Sequence, residues 1–224
     1  YCEMAQTLVK KYPDVLHLEV IGHSRDSKPI YAITMTENVQ ATMAREDYNV
    51  YREHYYVEGG NHARETVNTA IVIEMIENYA KDYYDDSTIK EFSLKNELKN
   101  AVIHFIPLVN PDGFDLVKFG PSSVKTEEGK KLLASVKDTN YKKFKANIAG
   151  VDLNRNFPDN YYDLKAKKWV NKFQQIPNQY HSYVPSGEFY GGPYGGSEPE
   201  TQAVMEYVKR YDFRNLLSYH SQGE

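Results

Sequence analysis

The sequence predicts an α/β layered fold, and three observations support this prediction. Strand-like and helix-like segments alternate along the chain, which is the pattern of a sheet covered by helices. The run AVIHFIPLV at 101–109 is almost continuously apolar, as expected for a central strand that is covered on both faces. With 224 residues, 41% hydrophobic and 26% charged, the chain has the size and composition of one globular domain.

The first half of the chain is predicted from apolar spacing and turn residues. An amphipathic pattern at 1–12 predicts a short helix, and the β-like runs at 16–21 and 30–35 predict a hairpin. A third strand at 54–58 precedes a helix at 66–84, whose apolar residues form one stripe. The central strand at 101–109 follows this helix.

The second half is less regular. The NPDG sequence after the central strand predicts a turn at 110–113, and between 114 and 149 only a helix near 130–136 is predicted. Long loops are expected over 152–196. Ser197 and Glu200 then have the spacing of a capping box, which would begin a helix through Val208. A last strand at 213–219 leads to His220.

Composition excludes several classes of protein and site. A formal net charge of −4 and a pI near 6.0 give no electrostatic reason to expect a nucleic-acid partner. No segment approaches the ~20 apolar residues of a membrane span. Cys2 is the only cysteine, so the chain can form neither an internal disulfide nor a cysteine-based zinc site. The chain starts at Tyr1 and not at Met, so we expect that an N-terminal segment has been processed or is left out of this sequence.

The segment YYVEGGNHARE at 55–65 is the strongest candidate for a functional site. If the strand ends at the two glycines and a helical turn follows, His62 and Glu65 lie three residues apart on one face. An imidazole and a carboxylate suit Zn²⁺, which in catalytic sites has three protein ligands. The pair alone equally suits the surface of a helix. A metal site therefore needs a third ligand and a supporting context.

That context is a family resemblance. GGNHARE, NPDGF, GVDLNRNF, SEPETQ and YHSQGE occur in this order at spacings that resemble the M14 family of zinc carboxypeptidases. The chain is most similar to the bacterial branch that contains γ-D-glutamyl-diamino acid peptidases. The resemblance implies a three-layer α/β/α fold with a mixed sheet of eight strands. It also implies one Zn²⁺ per chain, held by His62, Glu65 and His220. His220 also follows a predicted strand, so it can lie at the same edge of the sheet.

The resemblance assigns further residues to the substrate. Asn154 and Arg155 match positions that hold the terminal carboxylate, and a guanidinium suits that group because it pairs with it bidentately. The alternative is a structural turn in which Arg155 makes an internal salt bridge. Arg64 matches a position near the rim of the cleft, or is a solvated helix residue. Lys145 matches the arginine that stabilises the oxyanion in pancreatic members, or is a solvated lysine.

One element of the family pattern has no match. The glutamate that acts as general base lies well after the last ligand in the family, whereas this chain stops four residues after His220. We therefore expect residues 1–224 to form a zinc peptidase domain truncated after its third ligand. By itself, this domain is expected to be inactive.

The predicted function is a zinc metallopeptidase that uses zinc-activated water. Its substrate is a peptide or a peptidoglycan stem peptide, cleaved at an ordinary C-terminal bond or at a γ-D-glutamyl-diamino acid bond. Deacylation of an N-acyl amino acid is a less favoured activity. A different class is a non-catalytic module that binds carboxylate-bearing peptides or cell-wall fragments. The expected location is secreted or cell-envelope, with the cytoplasm as the alternative.

Overall fold

The structure is a computed structural model, and it describes residues 2–45, 48–86, 88–89, 92–158, 160–163, 168–171 and 182–221. The helices are α1 (Cys2–Lys11), α2 (Val39–Met43), α3 (Tyr48–Tyr51), α4 (Thr66–Asp85), α5 (Leu94–Glu97), α6 (Pro111–Phe119), α7 (Glu127–Ser135) and α8 (Pro199–Val208). The strands are β1 (Leu16–His23), β2 (Pro29–Met35), β3 (Glu53–Glu58), β4 (Thr88–Ile89), β5 (Phe92–Ser93), β6 (Ala101–Ile106), β7 (Asn160–Asp163), β8 (Lys168–Asn171) and β9 (Phe213–Ser218). Short 3₁₀ turns cover Pro121–Ser123, Tyr141–Lys143 and Leu153–Arg155.

The main sheet has five strands among the described residues, in the order β1-β2-β6-β3-β9. β1 and β2 form the predicted antiparallel hairpin, and β2 also pairs antiparallel with β6. β3 lies between β6 and β9 and runs parallel to both. The sheet is therefore mixed, as expected, and β6 is its central strand. β4 with β5, and β7 with β8, form separate two-stranded ribbons.

Helices cover both faces of the sheet, because side chains alternate along each strand. Ile33, Val57 and Phe105 pack in a core that includes residues of α1 and α4. Their sequence neighbours Ala32, Tyr56 and Ile106 point to the opposite face and pack with residues of α8. The predicted three-layer α/β/α arrangement is thereby confirmed.

Two local predictions about helix starts were wrong. NPDG begins α6, because the Asn110 side chain accepts a hydrogen bond from Gly113 N at 2.9 Å and proline is tolerated in a first turn. The capping box at Ser197 does not form, since α8 has Glu198 at its N-cap and no side-chain cap there. Glu200 is instead fully buried, where its carboxylate accepts from Arg25 N at 3.3 Å.

Other segments were only partly predicted. α7 begins three residues before the predicted helix start and ends one residue before its predicted end. The β7–β8 ribbon lies within the stretch that was expected to be loop. No described helix has the length and apolarity needed to cross a bilayer.

The buried histidines form a polar connection through the sheet. His104 is fully buried in β6, and its Nε2 lies 2.8 Å from His54 Nδ1. Its Nδ1 lies 2.7 Å from the hydroxyl of Tyr207 on α8. His54 is also buried, with only 1% of the residue exposed, because β3 is an interior strand of the sheet.

Candidate metal centre

The turn between β3 and α4 carries His62 and Glu65. Gly60 allows the turn because its φ is +65°, and a Cβ there would lie 2.6 Å from Leu108 Cδ1. The expected helical turn at His62 is absent: α4 begins at Thr66, and Glu65 is its N-cap. The two side chains nevertheless meet, because Glu65 N donates to the His62 carbonyl at 3.2 Å and folds the turn back.

His220 reaches the same place from the neighbouring strand. β9 runs parallel to β3, with Ser218 in register with Glu58, so both strands end at one edge of the sheet. The pairing continues one step further, since Tyr219 N donates to the Glu58 carbonyl at 2.9 Å. His220 is the next residue. Parallel topology thus brings together side chains that are 155 positions apart in sequence.

The three side chains converge on one point. Glu65 Oε1 lies 2.8 Å from His62 Nδ1, and Glu65 Oε2 lies 3.1 Å from His220 Nδ1. One donor atom from each residue lies within 4.8 Å of the other two. Tetrahedral zinc, with bonds of ~2.0–2.2 Å to nitrogen and oxygen, needs donor atoms roughly 3.3 Å apart. Two imidazole nitrogens and one carboxylate oxygen, gathered within 4.8 Å of one another, are the donor set that zinc prefers.

Electrostatics keep the carboxylate of this cluster ionised. Burial raises the pKa of Glu65, but hydrogen bonds with His220 and His62 outweigh that effect and hold the pKa well below its usual range. For His62, burial lowers the pKa, and the neighbouring carboxylates of Asp152 and Glu65 raise it above its usual value. A metal cation can take the place of the protons that lie between this buried carboxylate and the two imidazoles.

Asp152 belongs to this centre, although the sequence reasoning assigned it no role. Its Oδ1 lies 3.2 Å from His62 Nε2, close enough for an ion pair, but the angle is too poor for a hydrogen bond. Its Oδ2 accepts from Phe189 N at 3.1 Å. Metal-binding histidines usually donate their second ring nitrogen to such a carboxylate. An acidic residue inside the GVDLNRNF motif was the available signal.

Asn154 and Arg155 follow Asp152 in a 3₁₀ turn, where Asn154 N donates to Asp152 Oδ1 at 3.2 Å. Asn154 is exposed and Arg155 is partly exposed. The Arg155 guanidinium donates to the Asn154 carbonyl at 3.2 Å, and its Nε is buried without a partner. Among the described residues no carboxylate forms an ion pair with Arg155, so the alternative of an internal salt bridge finds no support there.

Arg64 and Lys145 lie beside the turn that carries His62. Ala63 N donates to the Lys145 carbonyl at 3.0 Å, and Arg64 N donates to the Phe144 carbonyl at 2.8 Å. Neither side chain is fully solvated: 15% of the Lys145 side chain and 23% of the Arg64 side chain are exposed. Both face the carboxylate of Glu188.

The two other carboxylates next to the cluster are already engaged. Glu58 Oε1 accepts from Asn61 and from Ser218, both at 2.8 Å, and Glu58 Oε2 accepts from the Tyr56 hydroxyl. Asp152 is held as described above. Within the described part of the chain, neither carboxylate is free to act as a general base.

The fold and this cluster identify a class of protein. The family profile for zinc carboxypeptidases, Peptidase M14, matches residues 1–224, and the chain belongs to this family. It is 29% identical over 162 residues to γ-D-glutamyl-L-diamino acid endopeptidase 1 of Lysinibacillus sphaericus, covering 72% of this chain and 38% of that protein. It is 27% identical over 210 residues to mouse carboxypeptidase D, covering 94% of this chain and 11% of that protein.

A solved structure gives the same fold. Bovine thrombin-activatable fibrinolysis inhibitor, in complex with tick carboxypeptidase inhibitor, superposes with a TM-score of 0.64 at 22% identity. That match covers 100% of this chain and 59% of the other. The chain therefore spans well under two thirds of the length of these relatives.

Proposed function

We propose that this chain is the metal-binding part of a zinc-dependent metallopeptidase. The enzyme would hydrolyse a peptide bond or a γ-D-glutamyl-diamino acid bond that lies next to a free carboxylate. The observation that carries the proposal is the convergence of His62, Glu65 and His220 at the edge where β3 and β9 end. The similarity to a γ-D-glutamyl-L-diamino acid endopeptidase supports the substrate class. A cell-wall substrate goes with a secreted or cell-envelope location, which is part of the proposal.

Metal binding, substrate positioning and charge stabilisation would each fall to different residues. His62, Glu65 and His220 would hold zinc, which supplies the Lewis acidity that polarises a carbonyl and acidifies water. Asp152 would orient the imidazole of His62. Arg155, with Asn154, would fix the terminal carboxylate of the substrate and so place the scissile bond. Lys145 would offset negative charge that develops on the carbonyl oxygen.

Proton transfer is the step for which the described residues provide no free group. Positioned acid–base catalysis contributes ~10²- to 10⁴-fold to rate. Because Glu58 and Asp152 are both committed to hydrogen bonds, we propose that residues 1–224 alone turn over substrate slowly or not at all. Ligand binding should be retained better than turnover.

The first experiment measures zinc. We expect one zinc per chain after dialysis of the wild-type protein, and His220→Ala should lose most of it because one of three ligands is gone. His23→Ala is the matched control, since His23 is an exposed histidine at the end of β1. Unchanged zinc content in His220→Ala would refute the ligand assignment.

A second measurement addresses the reaction. The zinc-loaded natural protein is assayed on a γ-D-glutamyl-diaminopimelate tripeptide and on a hippuryl dipeptide with a free C-terminus. Cleavage of either supports the peptidase, and the preferred peptide identifies the bond. Tight binding of both without cleavage would favour a binding module over an enzyme.

A further inference from the structure

Arg64 and Glu188 have no role in the proposed function, and together with Lys145 they form a charged group beside the metal centre. Glu188 Oε2 lies 3.4 Å from Arg64 Nη1 and 3.9 Å from Lys145 Nζ, so one carboxylate oxygen faces two cations. The Glu188 side chain is 39% exposed, more than either cation. Arg64 Nε is buried without a partner. The group therefore carries a net positive charge and a hydrogen-bond donor that Glu188 does not satisfy.

This group adjoins the metal centre. Arg64 lies two residues after His62, and the backbone of the same turn is bonded to the Lys145 carbonyl. Glu188 precedes Phe189, whose N–H donates to the Asp152 carboxylate that faces His62. Each member is thus connected to the metal centre through one or two hydrogen bonds. Exposed ion pairs contribute little to stability, so stability alone does not explain why two cations gather here.

The segment that carries Glu188 has a strained backbone. Phe189 has φ +69°, a strained conformation that is rare for a bulky residue. Hydrogen bonds on both sides maintain it: Gly187 O accepts from Lys145 N at 2.8 Å, and Tyr190 O accepts from Asp152 N at 2.7 Å. Strain of this kind persists mainly at functional sites. Here it places Glu188 against the cations and the Phe189 ring 5.2 Å from Lys145 Nζ.

The chemistry of a γ-D-glutamyl bond supplies a ligand for these cations. A glutamate joined through its γ-carboxyl keeps its α-carboxylate free, on the acyl side of the scissile bond. The leaving group carries another carboxylate, which the proposed function assigns to Arg155. Such a substrate has an anion on each side of the bond, and the site has two separate cationic points, Arg155 and the Arg64–Lys145 pair. A peptide with an ordinary α-linkage and no acidic side chain near the bond offers only the terminal carboxylate.

We propose that Arg64 and Lys145 bind the free α-carboxylate of a γ-D-glutamyl group, a role that for Lys145 replaces the oxyanion role given above, and that Glu188 occupies this position until the substrate displaces it. The inference rests on the proposed function, whose substrate class it narrows to γ-glutamyl peptides with a free α-carboxylate. Glu188 acts as an internal competitor. It offsets part of the charge of the two cations in the free protein, while the Lys143 carbonyl, which accepts from Arg64 Nη1 at 2.8 Å, helps to hold the guanidinium in place. It also disfavours substrates that cannot replace its charge.

The test compares two ligands that differ in one group. L-Ala-γ-D-Glu-diaminopimelate is compared with the same peptide carrying an α-carboxamide on the glutamyl residue, by calorimetric titration of the zinc-loaded natural protein. Hydrogen bonds to charged groups contribute ~1.5–3 kcal/mol, so the carboxylate peptide should bind about 10- to 100-fold more tightly. Arg64→Gln and Lys145→Met should each reduce this preference at least several-fold. Lys142→Met, which removes an exposed lysine nearby, should leave it unchanged.

Glu188→Gln gives the opposite signature. Removing the competing charge while keeping the shape should tighten binding of the carboxylate peptide about 3- to 10-fold, because the ligand no longer displaces an ion pair. The carboxamide peptide should change much less. If Glu188 only braces the fold, Glu188→Gln will weaken both peptides equally, and the competitor role is refuted.

Failure of this inference is distinguishable from failure of the proposed function. Equal affinity of the wild-type protein for the two peptides refutes the carboxylate site, even where both peptides are cleaved. A strong preference that depends on Arg64 and Lys145 supports the site, even where neither peptide is cleaved and the peptidase assignment fails.

Discussion

Asp152→Asn is the most informative single change at the metal centre. Asp152 Oδ2 accepts from Phe189 N at 3.1 Å, and Asp152 Oδ1 lies 3.2 Å from His62 Nε2. An amide of the same shape has one acceptor and one donor, so either His62 or Phe189 must face an N–H group. Loss of such a partner of a metal-bound histidine typically costs ~10- to 100-fold in metal affinity, or about 1.4–2.7 kcal/mol. The unsatisfied donor should also destabilise the metal-free fold by ~1–3 kcal/mol.

The two effects are measured separately. Zinc affinity is determined by competition with a chelator of known affinity, and stability of the metal-free protein by urea unfolding. Asp85→Asn is the matched control, since it removes one carboxylate from the exposed C-terminal end of α4. Zinc affinity within about 2-fold of the wild type, in a folded Asp152→Asn protein, would show that Asp152 does not support His62.

Two further predictions concern the scaffold. Burial and the neighbouring His54 hold the pKa of His104 at about 3, against about 6.5 in an unfolded chain. Between about pH 3 and pH 6.5, His104 therefore binds a proton in the unfolded chain but not in the folded protein. The free energy of unfolding should therefore fall by about 1.5 kcal/mol between pH 6.5 and pH 5, and urea unfolding of metal-free His104→Leu should lack this part of the pH dependence. An equal dependence of stability on pH in both proteins would contradict the low pKa of His104. Gly60→Ala should cost roughly 1–3 kcal/mol more than Gly196→Ala, because both have positive φ but only the first places a Cβ 2.6 Å from Leu108. Equal losses in thermal unfolding would show that the close contact at Gly60 relaxes freely.

The sheet was predictable because its signals are local. β1 and β2 have turn residues between them, and the apolar run of β6 is long enough to require cover on both faces. The turn that carries His62 was also marked, by two glycines between a strand and a helix. What links it to His220 is the parallel pairing of β3 and β9, a contact between distant segments that only the family resemblance indicated.

The errors arose where one residue pattern serves two structures. Asn-Pro-Asp-Gly suits a turn, and it equally suits a helix start in which Asn110 caps and Pro111 needs no hydrogen-bond partner. Ser197 and Glu200 have the spacing of a capping box, but Glu200 is buried and does not cap the helix. Glu200 lies in a fully buried polar cluster, where burial and the nearby Asp112 raise its pKa to about 8. Tertiary contacts determined these outcomes, and local spacing does not report them.

Asp152 also explains why the metal centre and the Arg64–Lys145 pair should respond together. One of its oxygens faces His62, and the other accepts from Phe189 N in the strained segment that carries Glu188. A fully buried carboxylate with both oxygens engaged has little freedom to move, so a change on one side is felt on the other. If Phe189 relaxes in Asp152→Asn, Glu188 leaves the cations, and binding of the α-carboxylate peptide should tighten relative to the carboxamide peptide while zinc binding weakens. Opposite changes in two affinities from one substitution would be difficult to attribute to general loss of structure.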